Sequence, residues 1–455
     1  MSTLAGTRVV VVGLGRSGVA AARLCRRYGA DVIAVDHAAP EKLSAAARAL
    51  SEIGISVVAG DLSTVEFGRA SFVVISPGVP SFAELAAAEA AGLSVIGEVE
   101  LAWRYLPDVP VIAITGSNGK STTVTLTGEI LSAIGKRPFV GGNLGEPPCE
   151  IVPQPDESGH LSPFGYDSVV LEISSFQAER IPTFRPSAAA LLNVSPNHLD
   201  RYDGFDQYVA AKGNIFVNQK ASDVAVAPID DERCVAQARR GDGELLRFGE
   251  KSHPLARYVY DAKEIVDRTT GDRFARSDIR LPGDHNALNI CAALALCSRF
   301  QPKPDAVREL LARFEGLAHR IVRVTTVAGV TYYDDSKGTN VGATVAAVRG
   351  LPEARIVLIA GGRDKLGSYE PLVEALRARG RGAVLIGEAA PRIAEAIGDA
   401  VPVVHASSME EAVLASARLA QAGDAVLLSP ACSSFDMFRD YKHRGDVFVA
   451  AVRAL

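Results

Sequence analysis

The stretch TGSNGKSTT, Thr115 to Thr123, follows the apolar run VIAI and precedes an Ala/Leu/Thr-rich segment, so it reads as the loop between a strand and a helix. It is a clipped phosphate loop. In the usual G-x-x-x-x-G-K-[ST] form the first glycine would fall on Ile114. The chemical parts are nonetheless present. Gly116 and Gly119 free the backbone around Ser117 and Asn118, Lys120 brings a cation to the β/γ-phosphates of a nucleotide, and the hydroxyl of Ser121 or Thr122 can bind Mg2+.

Working outward, the same grammar of β-branched run, glycine turn and amphipathic segment recurs three times, the pattern of parallel strands joined by helices. It begins at RVVVVG, again at VIAITG, and again at VTYYDDS and RIVLIAGG. The expected fold is therefore α/β with three domains: a Rossmann-like N-terminal domain (1–97), a central P-loop-type ATPase α/β domain (98–316) and a Rossmann-like C-terminal domain (317–455). The polar pieces LLRFG, ARYVY and RFARSDIRLPG suggest a small antiparallel insertion before the third unit. A helix is expected from about Asn286 to Phe300.

Composition bounds the function. At 48% hydrophobic and 22% charged residues, with a net charge of -5, the chain resembles an ordinary soluble globular protein and not a general nucleic-acid binder. Six scattered cysteines without a C-x-x-C pair suggest buried reduced thiols. The N-terminus lacks a signal-peptide core and no run of 18 apolar residues occurs, so a cytoplasmic enzyme without a membrane span is expected.

A second glycine turn, VVVVGLGRSGVAAARL, sets Gly13, Gly15 and Gly18 in G-x-G-x-x-G spacing, with Asp36 closing the next strand as a candidate acceptor for a ribose hydroxyl. The turn suits any nucleotide diphosphate, NAD included. Two hard-ligand candidates for Mg2+ lie at strand ends: Glu172 in SVVLEIS and His198 in NVSPNHLDRY.

Taken together, TGSNGKST, LEISSFQ, NVSPNHLDRY, YVAAKGNIF, GDHNALN and HR resemble the Mur ligase family of bacterial peptidoglycan synthesis, in order and spacing across nearly the whole chain. In that family the short loop is the normal ATP site. The resemblance implies that Lys120, Ser121, Glu172, His198 and Lys212 serve ATP and Mg2+, with Lys212 carried as a carbamate, and that Asn286, Arg320, Asp335 and Lys337 surround the nucleotide. DDSKGTN and LLSPACSSFDMF are similar to the D-glutamate-adding branch, which implies UDP-N-acetylmuramoyl-L-alanine and D-glutamate as substrates of a monomer. Gly15, Arg16, Ser17, Asp36, the SPGVP turn with Gly78 and Val79, and Asn143 would then meet the UDP substrate. Thr339, Lys365, Ser434, Phe435 and Tyr441 would meet D-glutamate. The branch pattern has Leu and Phe where this chain has Phe435 and Tyr441, and Arg16 and Ser17 replace commoner apolar and Thr choices. Two alternatives stay open: another amide ligase of the superfamily, such as a folylpolyglutamate synthase, and a nucleotide-sensing protein without turnover.

Overall fold

The run RVVVV becomes β1 (Arg8–Val12), whose last four residues are buried, as a strand covered on both faces requires. It is the centre of a five-stranded sheet in a computed structural model that describes residues 4–156, 158–198, 201–281, 283–364 and 368–455. With β2 (Asp31–Asp36), β3 (Ser56–Ala59), β4 (Phe72–Ile75) and β5 (Val95–Gly97) it forms an all-parallel sheet of order 3-2-1-4-5.

The second sheet has nine strands: β6 (Val111–Thr115), β7 (Pro138–Gly142), β8 (Ser168–Glu172), β9 (Ala188–Leu191), β10 (Val224–Pro228), β11 (Glu244–Glu250), β12 (Tyr258–Tyr260), β13 (Glu264–Asp267) and β14 (Arg273–Ala275). Their order is 14-13-12-11-10-9-6-8-7. The expected separate insertion is corrected here. LLRFG lies in β11, parallel to β10, and β12 is parallel to β11; only the β12–β13 and β13–β14 pairs are antiparallel, at the sheet's edge. The polar residues that suggested an insertion lie at the two ends of β11 and in the terminal β14, where Glu244, Glu250 and Arg273 are exposed, while β12 is buried throughout. The helix expected from Asn286 spans Asp284–Leu296 and is followed by a short 3-10 turn.

The third sheet joins β15 (Val322–Val327), β16 (Val330–Asp334), β17 (Ile356–Gly361), β18 (Gly380–Ile386), β19 (Val403–His405) and β20 (Ala425–Leu428) in the order 15-16-20-17-18-19. Only the β15–β16 hairpin is antiparallel.

The first two units share one apolar core, in which helices Arg16–Arg27 and Glu98–Tyr105 pack with Phe139, Val169 and Phe216. Polar ties reinforce it: Gly97 N donates to Arg180 O at 2.7 Å, and the buried Glu100 carboxylate accepts from Thr183 N and Phe184 N at 3.1 and 3.0 Å. The third sheet has its own cores. It joins the second through a segment in which His319 (φ 59°) and Ile321 (φ 52°) hold left-handed backbone on either side of Arg320. Such conformations cost roughly 1–3 kcal/mol in ordinary residues and persist only where surrounding contacts hold them, as the His319 Nδ1–Asp334 Oδ2 contact of 2.6 Å does here. All six cysteines are free and buried, and among the described residues no helix is long and apolar enough to cross a membrane.

Candidate active site

The β6 strand ends between β8 and β9, so the loop that follows opens into the crevice at the carboxyl edge of the sheet, where open α/β sheets bind ligands. Gly119, at φ 82°, has no room for a side chain: a Cβ there would stand 2.3 Å from Asn289 Oδ1. Asn193, just past β9, holds the loop on both sides. Its Oδ1 accepts from Asn118 N at 2.9 Å and its Nδ2 donates to Asn118 O at 3.1 Å. Ser117 Oγ donates to Ser195 O at 3.0 Å and lies 3.0 Å from the Tyr208 hydroxyl. No side chain caps helix Lys120–Ala133, leaving its first-turn N–H groups for an anion.

Charge concentrates around this loop. The half-buried Lys120 donates to Gly116 O at 2.9 Å and Ser117 O at 3.0 Å, and Lys212, 2% exposed, donates to the same Gly116 O at 2.9 Å. Burial, then the nearby Lys120, drives the Lys212 pKa far down. Glu172 is buried; burial pulls its pKa up, but the Lys120 charge and hydrogen bonds from Ser121 Oγ (2.6 Å) and Asn143 Nδ2 (2.7 Å) outweigh that, and it stays below the usual value. From the third unit, Lys337 is lowered to about 8 by burial and by Arg320, while burial raises Asp335 to about 7. Four cations therefore feel one another here, a costly arrangement that a polyphosphate would relieve.

A cavity of about 1030 Å3 between the second and third sheets is lined by Asn118, Thr122, Asn286, Asn289, Arg320 and Asp335. Thr122 Oγ1 and Arg320 Nε are buried without a hydrogen-bond partner among the described residues, as fits a site built for a polar ligand. Asn340 Nδ2 closes one side by donating to Asn118 Oδ1 at 3.1 Å. For a divalent cation, Glu172 and the Ser121 hydroxyl offer hard oxygens. Among the described residues no three His, Cys, Asp or Glu gather, so the ion would share its shell with phosphate and water, as Mg2+ does.

A second cavity, about 890 Å3, separates the first sheet from the second and is lined by Ser76, Gly78, Val79, Gln177, His198 and Arg201. His198 (φ 56°) packs its ring 4.9 Å from that of Phe176. Nearby, Gly13 and Gly18 are packing glycines, whose added Cβ atoms would fall 2.4 Å from Val79 and 1.8 Å from Gly13 O, whereas Gly15 faces open space. Asp36, expected to meet a ribose, also holds the turn itself: its Oδ2 accepts from Leu14 N at 2.6 Å and its Oδ1 from Ala38 N at 2.8 Å. Arg16 is exposed and Ser17 half-buried at the start of the following helix.

In the third unit the Lys337 ammonium lies 5.3 Å over the Tyr441 ring, with Thr339 two residues on. Ser434 is buried and Phe435 is 68% exposed. Lys365 lies outside the described residues. Residues that the sequence reading passed over prove central: Asn193, Tyr208, Asn289 and Asn340 shape the loop, and the fully buried Arg444 ties Ser336 O (2.8 Å) to Cys432 O (3.2 Å). Asn193, Tyr208, Asn289 and Asn340 all sat inside motifs already singled out. Arg444 gave no local signal.

Family models match three consecutive parts of the chain: "Mur ligase MurD-like, N-terminal domain" over residues 7–97, "Mur ligase middle domain" over 114–297, and "Mur ligase, glutamate ligase domain" over 319–432. Among curated proteins the chain is similar to the UDP-N-acetylmuramoylalanine--D-glutamate ligase of Geobacter metallireducens, at 44% identity over 99% of this chain and 98% of that protein. The protein of the same name from Myxococcus xanthus is 40% identical, covering 99% of each. Among solved structures, the fold is shared with UDP-N-acetylmuramate-alanine ligase MurC of Thermotoga maritima (TM-score 0.60, 18% identity, 98% and 99% of the two chains). It is shared too with a folylpolyglutamate synthase of Mycobacterium tuberculosis (TM-score 0.56, 16% identity, 75% of this chain and 91% of that one).

Proposed function

This chain belongs to the Mur ligase family, and from that premise we propose that it joins D-glutamate to the carboxyl end of UDP-N-acetylmuramoyl-L-alanine. It is an ATP-dependent, amide-forming ligase of peptidoglycan precursor synthesis. One observation carries the reading: Lys120, Lys212, Arg320 and Lys337 converge on a glycine loop whose neighbouring carboxylate, Glu172, already holds Ser121. The domain division is 1–97 for the UDP substrate, 98–316 for ATP and 317–455 for the amino acid, in a cytoplasmic monomer.

A carboxylate does not accept an amine directly, because oxide is too poor a leaving group. The γ-phosphoryl group of ATP moves to the alanine carboxylate, giving an acyl phosphate and ADP. The neutral amine of D-glutamate then attacks the carbonyl, and the tetrahedral intermediate collapses to the amide as phosphate departs. Catalysis of the first step is positioning and charge neutralisation. Lys120 and the N–H groups of the loop hold the β/γ-phosphates, Arg320 and Lys337 arrive from the third unit, and Asn286 and Asp335 line the nucleotide cavity. Glu172 and Ser121 would hold Mg2+, with His198 and a modified Lys212 as the further ligands the family resemblance implies, and the ion would supply further neutralisation of phosphate charge. Asn340, bridging to Asn118, helps keep the third unit closed so that water does not reach the acyl phosphate. Thr339, Ser434, Phe435 and Tyr441 would meet D-glutamate, as the resemblance implies for Lys365 as well.

The environment of Lys212 suits its conversion to a carbamate. Burial and Lys120 favour the neutral amine, which adds CO2 to give an N-carboxylate and release one proton. The product replaces a buried cation by an anionic oxygen ligand. Labelling with 13C-bicarbonate should give a carbamate carbonyl resonance that Lys212→Ala lacks.

The activity is tested by phosphate release from ATP with the UDP substrate and D-glutamate, L-glutamate, L-lysine or no amino acid. Release dependent on D-glutamate is expected. Release with none of the amino acids would refute the reading and favour a nucleotide sensor.

A further inference from the structure

Two turns of the third unit carry residues assigned above to D-glutamate: the turn leaving β17 leads to Lys365, and the turn leaving β20 leads to Ser434. The two turns touch. Arg363 N donates to Ser433 O at 2.9 Å and Ser433 N to Arg363 O at 3.3 Å, and a Cβ on Gly362 (φ 129°) would stand 2.2 Å from Ser433 O. Ala431 N in turn donates to Gly338 O at 2.9 Å, beside Thr339. Tyr369, which has no role in the chemistry above, stands at this junction. It is 5% exposed and immediately precedes helix Glu370–Arg379. Its hydroxyl donates to Asp364 Oδ1 at 3.0 Å and lies 3.3 Å from Cys432 Sγ, so one phenol spans the two turns. Asp364 also pairs with Arg392, whose guanidinium lies 5.3 Å over the Tyr369 ring.

We propose that Tyr369 is a positioning residue for D-glutamate: its hydroxyl holds the Asp364 carboxylate against the Cys432 turn and thereby sets where Lys365 stands relative to Ser434. The inference rests on the D-glutamate assignment made above. Lys365 directly follows Asp364, and Ser434 lies two residues past Cys432. Consecutive Cα atoms are about 3.8 Å apart, so a tie between Asp364 and Cys432 limits the reach of both neighbours. Burial, then Cys432 and Asp364, raises the phenol pKa, which keeps the hydroxyl a donor through neutral pH. Phenylalanine at this position keeps the packed ring and loses the bonds alone. Arg392 still pairs with Asp364 in that variant, so the carboxylate is not stranded.

Steady-state kinetics of the full-length protein test this on wild type, Tyr369→Phe, Asp364→Ala and the double variant, with ATP, UDP-N-acetylmuramoyl-L-alanine and D-glutamate varied in turn. Losing a hydrogen bond to a carboxylate that orients the site should raise KM for D-glutamate by about 10-fold in Tyr369→Phe. KM for ATP and for the UDP substrate should stay within about 2-fold, and kcat within about 3-fold. Asp335 and Lys337 belong to the same unit, so a general loosening of that unit would raise KM for ATP as well. Because Tyr369 acts through Asp364, adding Tyr369→Phe to Asp364→Ala should raise KM for D-glutamate by less than about 2-fold more. A thermal melt of each variant checks folding, and should Asp364→Ala fail to fold, Tyr369→Phe decides alone. An unchanged KM for D-glutamate in Tyr369→Phe, an equal rise in KM for ATP, or fully additive effects in the double variant would each overturn the proposal and leave Tyr369 as packing. Absence of D-glutamate-dependent phosphate release by wild type would overturn the D-glutamate assignment itself, and this proposal with it.

Discussion

Replacing Gly15 and Gly18 by alanine, one at a time, separates two uses of a single glycine turn. At Gly18 a Cβ would lie 1.8 Å from Gly13 O and 2.8 Å from Ser76 Oγ. The carbonyl is backbone and already accepts from Ser76 at 2.7 Å, so relief requires helix Arg16–Arg27 to move off β1. That helix buries Val19, Leu24 and Cys25, and overpacking of this kind costs roughly 1–3 kcal/mol or more. At Gly15 the backbone (φ -68°, ψ -173°) suits alanine and nothing lies within 4 Å of the added Cβ. Alanine for glycine at such an N-cap costs under about 1 kcal/mol. If the open space is where a diphosphate approaches the helix N-terminus, however, the methyl group displaces it. Losing one hydrogen bond to a charged group costs about 1.5–3 kcal/mol, or roughly 10- to 100-fold in Kd. Thermal unfolding and calorimetry with the UDP substrate read both effects. Gly15→Ala should melt near wild type and bind at least ~10-fold more weakly, whereas Gly18→Ala should lose stability. Wild-type affinity in Gly15→Ala would refute the reasoning and leave the turn as strand-to-helix packing alone.

Arg320→Ala should lower turnover by at least ~10-fold while leaving the KM for the UDP substrate within about 2-fold, as steady-state kinetics can show, because its guanidinium lines the nucleotide cavity and not the acceptor cavity. Lys337 is charged below about pH 8, the value to which burial and Arg320 lower it, so ATP affinity measured by calorimetry should fall as pH rises through 8. Lys337→Arg, which keeps its charge, should flatten that profile. Asn340→Ser retains a cap for helix Val341–Gly350, now provided by Asn340 Oδ1 to Ala343 N at 2.9 Å, but removes the donor to Asn118. One neutral hydrogen bond is worth about 0.5–1.5 kcal/mol, so turnover should drop roughly 2- to 10-fold with an unchanged melting temperature.

What could be read before folding, and what could not, follows from how far apart the interacting residues lie in the chain. A strand, a glycine turn and a helix are consecutive, so the strands beginning at Arg8, Val111 and Ile356 declare themselves by β-branched runs, and the clipped loop by Gly116, Gly119 and Lys120. The polar strands β11 and β12 misled because pairing direction is a tertiary property: nothing within LLRFG specifies that it aligns parallel to β10. Side chains that bridge loops are hidden for the same reason. Asn340 meets Asn118 across 222 residues, Arg444 meets Ser336 across 108, and Glu98 meets Cys149 across 51. Each is an ordinary polar residue in its local context, and only the fold gives it an unusual surrounding. The cations illustrate the converse: Lys120 carries a motif, while Lys212 acquires its character from burial beside Gly116 O, which no helical pattern around it announces. Chemistry that depends on desolvation, as with Lys212, is thus the part least visible in sequence and the part for which pH titration is the most direct probe.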